Sequence, residues 1–154
     1  MTRWVDERGT GGAEVLAFGV LVFVVGVLVV ANAWGVVDAN FAVAGAAREA
    51  ARAYVEAPDG AAAGGAAHLA AAEAIAGYGR DPARMDVRIA AGTSFHRCAR
   101  VVVEVSYDVP TVVLPWGAGF GGTAVTARAL HSELVDPYRR GVPLASGEIE
   151  ARCG

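Results

Sequence analysis

The chain has 154 residues, a formal net charge of -3 and 55% hydrophobic residues, and all thirteen of its basic residues are arginine. The length suits one domain with an appendage, while a mean hydropathy of +0.41 is too apolar for a typical soluble domain. The mild acidity argues against a nucleic-acid binder, which usually carries a clustered basic face. Two cysteines are too few for a disulfide scaffold.

The apolar excess is concentrated near the N-terminus. The 23 residues from Val15 to Val37 include no Asp, Glu, Lys or Arg. A helix needs about 20 apolar residues to cross a bilayer, so this segment predicts a membrane span. Ala31-Asn32-Ala33 leaves a signal-peptidase site open as the alternative. Against it, the apolar segment is long for a signal peptide and the leader lacks the usual positive charge.

The residues after the span keep a helical spacing. Apolar side chains recur on one stripe, which we expect to be the packing face: Val37, Phe41, Ala44, Ala51 and Val55. Charged residues lie on its flank: Asp38, Glu49, Arg52 and Glu56. One helix is therefore predicted from about Glu14 to Ala57, with Pro58-Asp59-Gly60 as its stop.

The C-terminal part predicts a second helix followed by strands. The helix is expected over about Ala61–Ile75, and period-two alternation predicts strands at 85–89 and 100–109. A third strand is expected over about 123–134. The intervening segment 110–122 is uncharged and predicts an apolar loop, in which Trp116 and Phe120 either pack on the sheet or contact the membrane interface or a partner. The fold class is α+β.

The leader carries a specific motif, Arg8-Gly9-Thr10-Gly11-Gly12-Ala13-Glu14. It resembles a type III prepilin-peptidase site, in which cleavage after Gly9 makes Thr10 the N-terminus and Glu14 its fifth residue. A carboxylate at the membrane edge is costly unless it is paired, and the new ammonium of a neighbouring subunit can pair with it. The simpler interpretation is an interfacial acid that follows a flexible glycine.

A second motif, Ala46-Ala47-Arg48-Glu49-Ala50-Ala51-Arg52, resembles the segment after the membrane helix in TadE-like pseudopilins (TadE, TadF, TadG) of the tight-adherence (Flp) pilus system. The order of the elements is also similar to that family, over about residues 8–134. Two positions depart from it: Val15 stands where the family usually has Phe or Tyr, and Ala50 where it has Gly.

The resemblance implies a pilin-like, non-enzymatic protein without cofactors, namely a minor pilin or assembly factor of a type IV-like pilus. It implies a leader (1–9), a transmembrane and extended helix (10–57) and an extracytoplasmic α+β domain (58–154). The implied location is the cytoplasmic membrane, in a single pass, or the cell surface. The implied partners are prepilin peptidase, other pilins and the pilus assembly platform, with no nucleic acid and no small-molecule substrate. The alternative is a membrane-anchored extracytoplasmic binding module that never enters a pilus.

The remaining candidate sites concern charged residues and cysteines. Arg48, Glu49 and Arg52 serve either helix packing or a subunit contact, and Arg48 is expected to need a carboxylate partner. His96 and Cys98 lack further ligands at metal-site spacing. If the domain is extracytoplasmic, as the family implies, Cys98 and Cys153 are expected to form a disulfide, with two free thiols as the alternative.

Overall fold

The structure, a computed structural model, describes residues 10–91, 94–112 and 120–143. Two helices are followed by a one-turn 3-10 helix (Pro82–Arg84) and three strands. Their bounds are α1 (Thr10–Glu56), α2 (Gly60–Gly77), β1 (Met85–Ile89), β2 (Arg100–Val112) and β3 (Phe120–Leu134). The α+β class is confirmed, as are the long N-terminal helix, the second helix and the three-stranded antiparallel sheet.

The two halves of α1 have different surroundings. The half that contains the apolar segment is largely exposed, whereas the second half packs against α2, β2 and β3. Its buried face consists mainly of alanine: Ala39, Ala42, Val43, Ala46, Ala47, Ala50, Ala51, Tyr54 and Ala57. We call this set the alanine face. Since alanine ends at Cβ, α2 and the sheet can approach the backbone of α1 closely.

The expected packing stripe of α1 was therefore largely wrong. Of its five members Ala51 is buried and Val55 half-buried, while Val37, Phe41 and Ala44 are exposed. The physical reason is size, because a close contact between the helix and two layers selects the small side chains instead of the most hydrophobic ones.

Local signals at both ends of α2 explain its bounds. Asp59 is the N-cap, and its Oδ1 accepts a hydrogen bond from the backbone N–H of Ala62 at 2.9 Å. At the other end Gly79 adopts φ +69°, and its N–H donates to the carbonyl of Ala76 at 2.8 Å. A glycine suits this left-handed position because it has no Cβ.

β2 is the central strand of the sheet, whose order is β1-β2-β3. Its Val101, Val103, Val105, Tyr107 and Val109 are buried on the side of the helices, as their alternation predicts. Both β2 and β3 are longer than predicted, because Pro110 pairs with Thr123 and Val112 with Phe120 across a register irregularity. The predicted loop 110–122 is thus partly strand.

The central strand β2 runs antiparallel to α1. Val55, near the C-terminal end of α1, packs against the cluster of Ala99, Val135 and Val142. Tyr107, seven positions after the first residue of β2, lies at the level of Asp38, because Arg80 contacts both residues. β2 therefore points toward the N-terminal half of α1 as it approaches Val112.

Candidate functional site

The part of the predicted processing motif that the structure describes lies in α1. Thr10 is the first described residue of this helix, and Arg8 and Gly9 lie outside the described residues. Glu14 is exposed. The Glu14 carboxylate therefore lies near the beginning of the exposed half of α1, directly before the charge-free segment.

The second motif divides into two faces on α1. Its four alanines, Ala46, Ala47, Ala50 and Ala51, are completely buried. Its charged residues Arg48, Glu49 and Arg52 are exposed. Thus the alanines, and not the charged residues, make the packing contacts of this motif within the chain.

The charges of the motif are paired unequally. Arg52 Nε donates to Glu56 Oε1 at 2.9 Å, and this hydrogen bond raises the pKa of the Arg52 guanidinium, with a coulombic contribution from the same carboxylate. Such an exposed i,i+4 pair contributes little to stability, because solvent screens it. Arg48 has no salt bridge within the described residues, so the carboxylate partner expected for it is not found there.

A stripe of exposed apolar residues continues beyond the charge-free segment. Trp34 is 70% exposed, Val37 44% and Phe41 64%. Their spacing of three and four residues, continued by Ala44 and Arg48, places all five on one side of α1, opposite the alanine face. We call these five residues the outer stripe.

The outer stripe is continuous with an open apolar groove along the charge-free segment. The groove is lined by Phe23, Gly26, Val27, Val30, Ala31 and Trp34. Trp34 belongs to both surfaces. Monomeric soluble proteins rarely expose such extended apolar surface, which marks a contact with lipid or with another protein.

Arg80 fixes the C-terminal part of the chain to α1 near the end of the charge-free segment. Its Nη2 donates to Asp38 Oδ2 at 2.7 Å and to the carbonyl of Gly35 at 2.8 Å. Its guanidinium carbon lies 5.4 Å from the centre of the Tyr107 ring. One side chain therefore joins α1, the turn after α2 and the central strand.

Arg139 fixes the other end of the same helix. Its guanidinium donates to the carbonyls of Val55, Glu56 and Ala57, which α1 leaves without intrahelical partners. The same group stacks on the Phe95 ring at 5.6 Å. The last turn of α1 contains no basic residue, so Arg139 provides the cation that favours a helix C-terminus.

Neither arginine could be assigned from the sequence. Arg80 is 42 positions from Asp38, and Arg139 is 84 positions from Val55. The only sequence signal was that Asp38 stands directly after the charge-free segment, where an unpaired carboxylate is costly.

The weaker candidates concern a metal site, a disulfide and the apolar loop. In the part of the chain that the structure describes, no three His, Cys, Asp or Glu side chains are grouped to hold a metal ion. His96 Nδ1 lies 2.9 Å from the carbonyl oxygen of Arg97. Cys153 and Trp116 lie outside the described residues, so the disulfide and the contacts of Trp116 stay predictions.

α1 is long and apolar enough to cross a membrane. By length and composition this is the single candidate span in the described residues. Comparison with known protein families, with curated proteins and with solved structures finds no match for the chain.

Proposed function

We propose that this protein is a TadE-like pseudopilin, either a minor pilin or an assembly factor of a tight-adherence (Flp, type IV-like) pilus. In this proposal α1 crosses the cytoplasmic membrane once, prepilin peptidase removes residues 1–9, and the α+β domain lies outside the cytoplasm or at the cell surface. The protein acts by packing, not by catalysis. Its partners are other pilins and the assembly platform.

The observation that carries the proposal is the division of α1 into two faces. The alanine face binds the protein's own domain, so it is already occupied. The outer stripe and the groove from Phe23 to Trp34 have no cover within the described residues. A protein that joins a helical bundle needs such a second face, since one helix must contact its own domain and its neighbours at the same time.

The end of the outer stripe supports a protein neighbour above the membrane. Phe41 lies about 10 Å beyond Trp34 along the helix, past the end of the charge-free segment, and is 64% exposed. Arg48 follows on the same side without a salt bridge among the described residues. A neighbouring subunit with an apolar patch and a carboxylate at matching heights would cover both.

The mass of the mature protein, purified from its native envelope, tests the proposal most directly. A start at Thr10 supports prepilin-peptidase processing. A start at Trp34 instead indicates a signal peptide that ends at Ala33, although α1 continues through this position. A start at Met1, together with absence from sheared pili and from the assembly platform, favours the membrane-anchored binding module.

A further inference from the structure

This fold brings two charge-free segments that are distant in sequence to the same level along α1. One is the segment Val15–Val37 of α1. The other extends from Val109 to Ala127, where the sequence has no Asp, Glu, Lys or Arg over 19 residues. We call its described parts, residues 109–112 of β2 and 120–127 of β3, the strand ends.

The acidic residues Asp38 and Asp108, which border the two segments on the side of the domain core, lie at one level along α1. Asp38 is bound to Arg80, and Arg80 stacks on Tyr107. Tyr107 directly precedes the exposed Asp108 and pairs with Met85, which directly follows Arg84. Asp38, Arg80, Arg84 and Asp108 therefore form a belt of charge around the protein, and we call it the charged belt.

The geometry places the strand ends beside the upper part of the span. From Ala99 to Tyr107 the strand advances about 26 Å, and from Val55 to Asp38 the helix covers about 26 Å, so the two elements stay level. Beyond Tyr107, β2 continues to Val112 for about 16 Å. Val36 packs against the core, and Leu28, Asn32 and Gly35 are half-buried among otherwise exposed neighbours.

The same level is the boundary that a bilayer would have on α1. A hydrocarbon layer of about 30 Å that begins at Val15 ends near Trp34, which is exposed on the far side of the helix. Exposed tryptophan is typical of the membrane interface. The strand ends begin at this interfacial layer, because Val109 lies about 7 Å below Tyr107 and Trp34 lies about 6 Å below Asp38. Val112, about 16 Å below Tyr107, lies about 10 Å deeper than Trp34.

We propose that the strand ends form a second membrane contact, in which they enter the outer part of the leaflet on the domain's side from the interfacial layer. This inference rests on the membrane span of the proposed function but concerns a different element. Open strand edges are costly in hydrocarbon, which limits the contact to this outer part of the leaflet and keeps it away from the bilayer centre. Pro110 has no N–H to leave unsatisfied there.

The contact would hold the domain against the membrane surface and limit its tilt about α1. The lipid component is an ordinary phospholipid interface, since the strand ends contain no charged group to select a headgroup.

Fluorescence quenching in lipid vesicles tests the proposal. The full-length protein, reconstituted in phosphatidylcholine–phosphatidylglycerol vesicles, carries a thiol-reactive dye at Val125→Cys or at Leu130→Cys. Both wild-type residues are exposed on β3, 43% and 67% respectively. Val125 pairs with Val109 below the charged belt, and Leu130 pairs with Glu104 above it. Wild-type protein taken through the same labelling measures the background from the native cysteines.

We expect the dye at residue 125 to lose fluorescence when lipids carry a nitroxide near the headgroup, and the dye at residue 130 to keep it. A dye at Phe23→Cys should be quenched best by a nitroxide near the chain ends. Quenching at Phe23 with none at residue 125 would overturn the strand-end contact and leave the span intact. No quenching at Phe23 would remove the span and with it both proposals. A dye at Pro110→Cys repeats the measurement on β2.

Discussion

Arg80 donates to the carboxylate of Asp38 at 2.7 Å, and this ion pair is much less exposed than the similar pair between Arg88 and Asp86 at 2.8 Å. The Arg80 side chain is 14% exposed and that of Arg88 is 72% exposed. Both pairs join an arginine to an aspartate at nearly the same distance, but Arg80 also contacts Gly35 and Tyr107. The two pairs therefore compare a contact that joins separate elements with an exposed contact inside one strand.

Arg80→Ala should lower the free energy of unfolding by about 2–3 kcal/mol, because it removes charge-assisted hydrogen bonds to Asp38 and Gly35 and leaves both acceptors in a partly buried site. Arg88→Ala, the matched control, should cost at most about 1 kcal/mol. Urea unfolding in detergent micelles, followed by circular dichroism, measures both. Equal losses in the two variants would show that Arg80 does not fix the domain to α1.

Gly9→Leu should block processing, because a bulky side chain at the cut prevents the peptide bond from entering the protease site. The wild-type protein should lose nine residues, which leaves 154 - 9 = 145. Val5→Leu, outside the motif, serves as the control and should be processed normally. N-terminal sequencing of the membrane fraction decides the matter, and a Met1 start in the wild type would contradict the prediction.

Glu14→Gln should insert into the membrane and be cleaved normally but should be depleted from pili. The variant keeps the size of the side chain and removes the charge that the Thr10 ammonium of a neighbour would pair with. Glu73→Gln, which changes an exposed carboxylate on α2, controls for charge alone. Sheared pili and the purified assembly platform are probed for each variant. Wild-type recovery of Glu14→Gln in both fractions would leave Glu14 without an assembly role.

Phe41→Ser should leave the fold intact, because Phe41 is 64% exposed and surface substitutions usually change stability by about 0.5 kcal/mol or less. It should nevertheless reduce recovery with pili, since Phe41 belongs to the face left for a neighbour. Leu130→Ser removes an equally exposed apolar side chain, at 67%, from the sheet. If both variants assemble like the wild type, the outer stripe above the membrane is not a subunit contact.

Cys98 and Cys153 should resist thiol labelling in protein taken from its native envelope and should label after reduction. By loop entropy such a bond would contribute about 4 kcal/mol, less any strain. Cys98 is the one described non-glycine residue with positive φ, at 63°. Mass spectrometry after alkylation, with and without reductant, gives the pairing. Complete labelling of both cysteines without reductant would refute it.

The elements were predictable because their signals are local. Alternation in β2 identified the buried valines, and Asp59 and Gly79 stand at the ends of α2 where a cap and a left-handed residue are required. The packing face of α1 was not predictable from hydropathy. It depends on how closely two layers approach the helix, and this favours Ala46 and Ala50 over Phe41.

The contacts of Arg80 and Arg139 join residues that are far apart in the sequence. One sequence contains no local pattern that would predict such contacts. The length of β2 was underestimated for a different reason. The predicted strand ends just before Pro110, yet a proline is compatible with an irregular pair at the margin of a strand.

The alanine face has a consequence for how the domain is positioned along α1. Its alanines recur every three or four residues, so moving the helix by one turn, about 5.4 Å, replaces one alanine by another with nearly the same shape. The alanine face therefore stabilises the contact between α1 and the domain but distinguishes poorly between positions one helical turn apart. The two arginines do discriminate, because each recognises acceptors that occur at one height: the carboxylate of Asp38 and the terminal carbonyls from Val55 onward. The position of the domain along α1 is thus set by Arg80 and Arg139, which lie at the two ends of the alanine face.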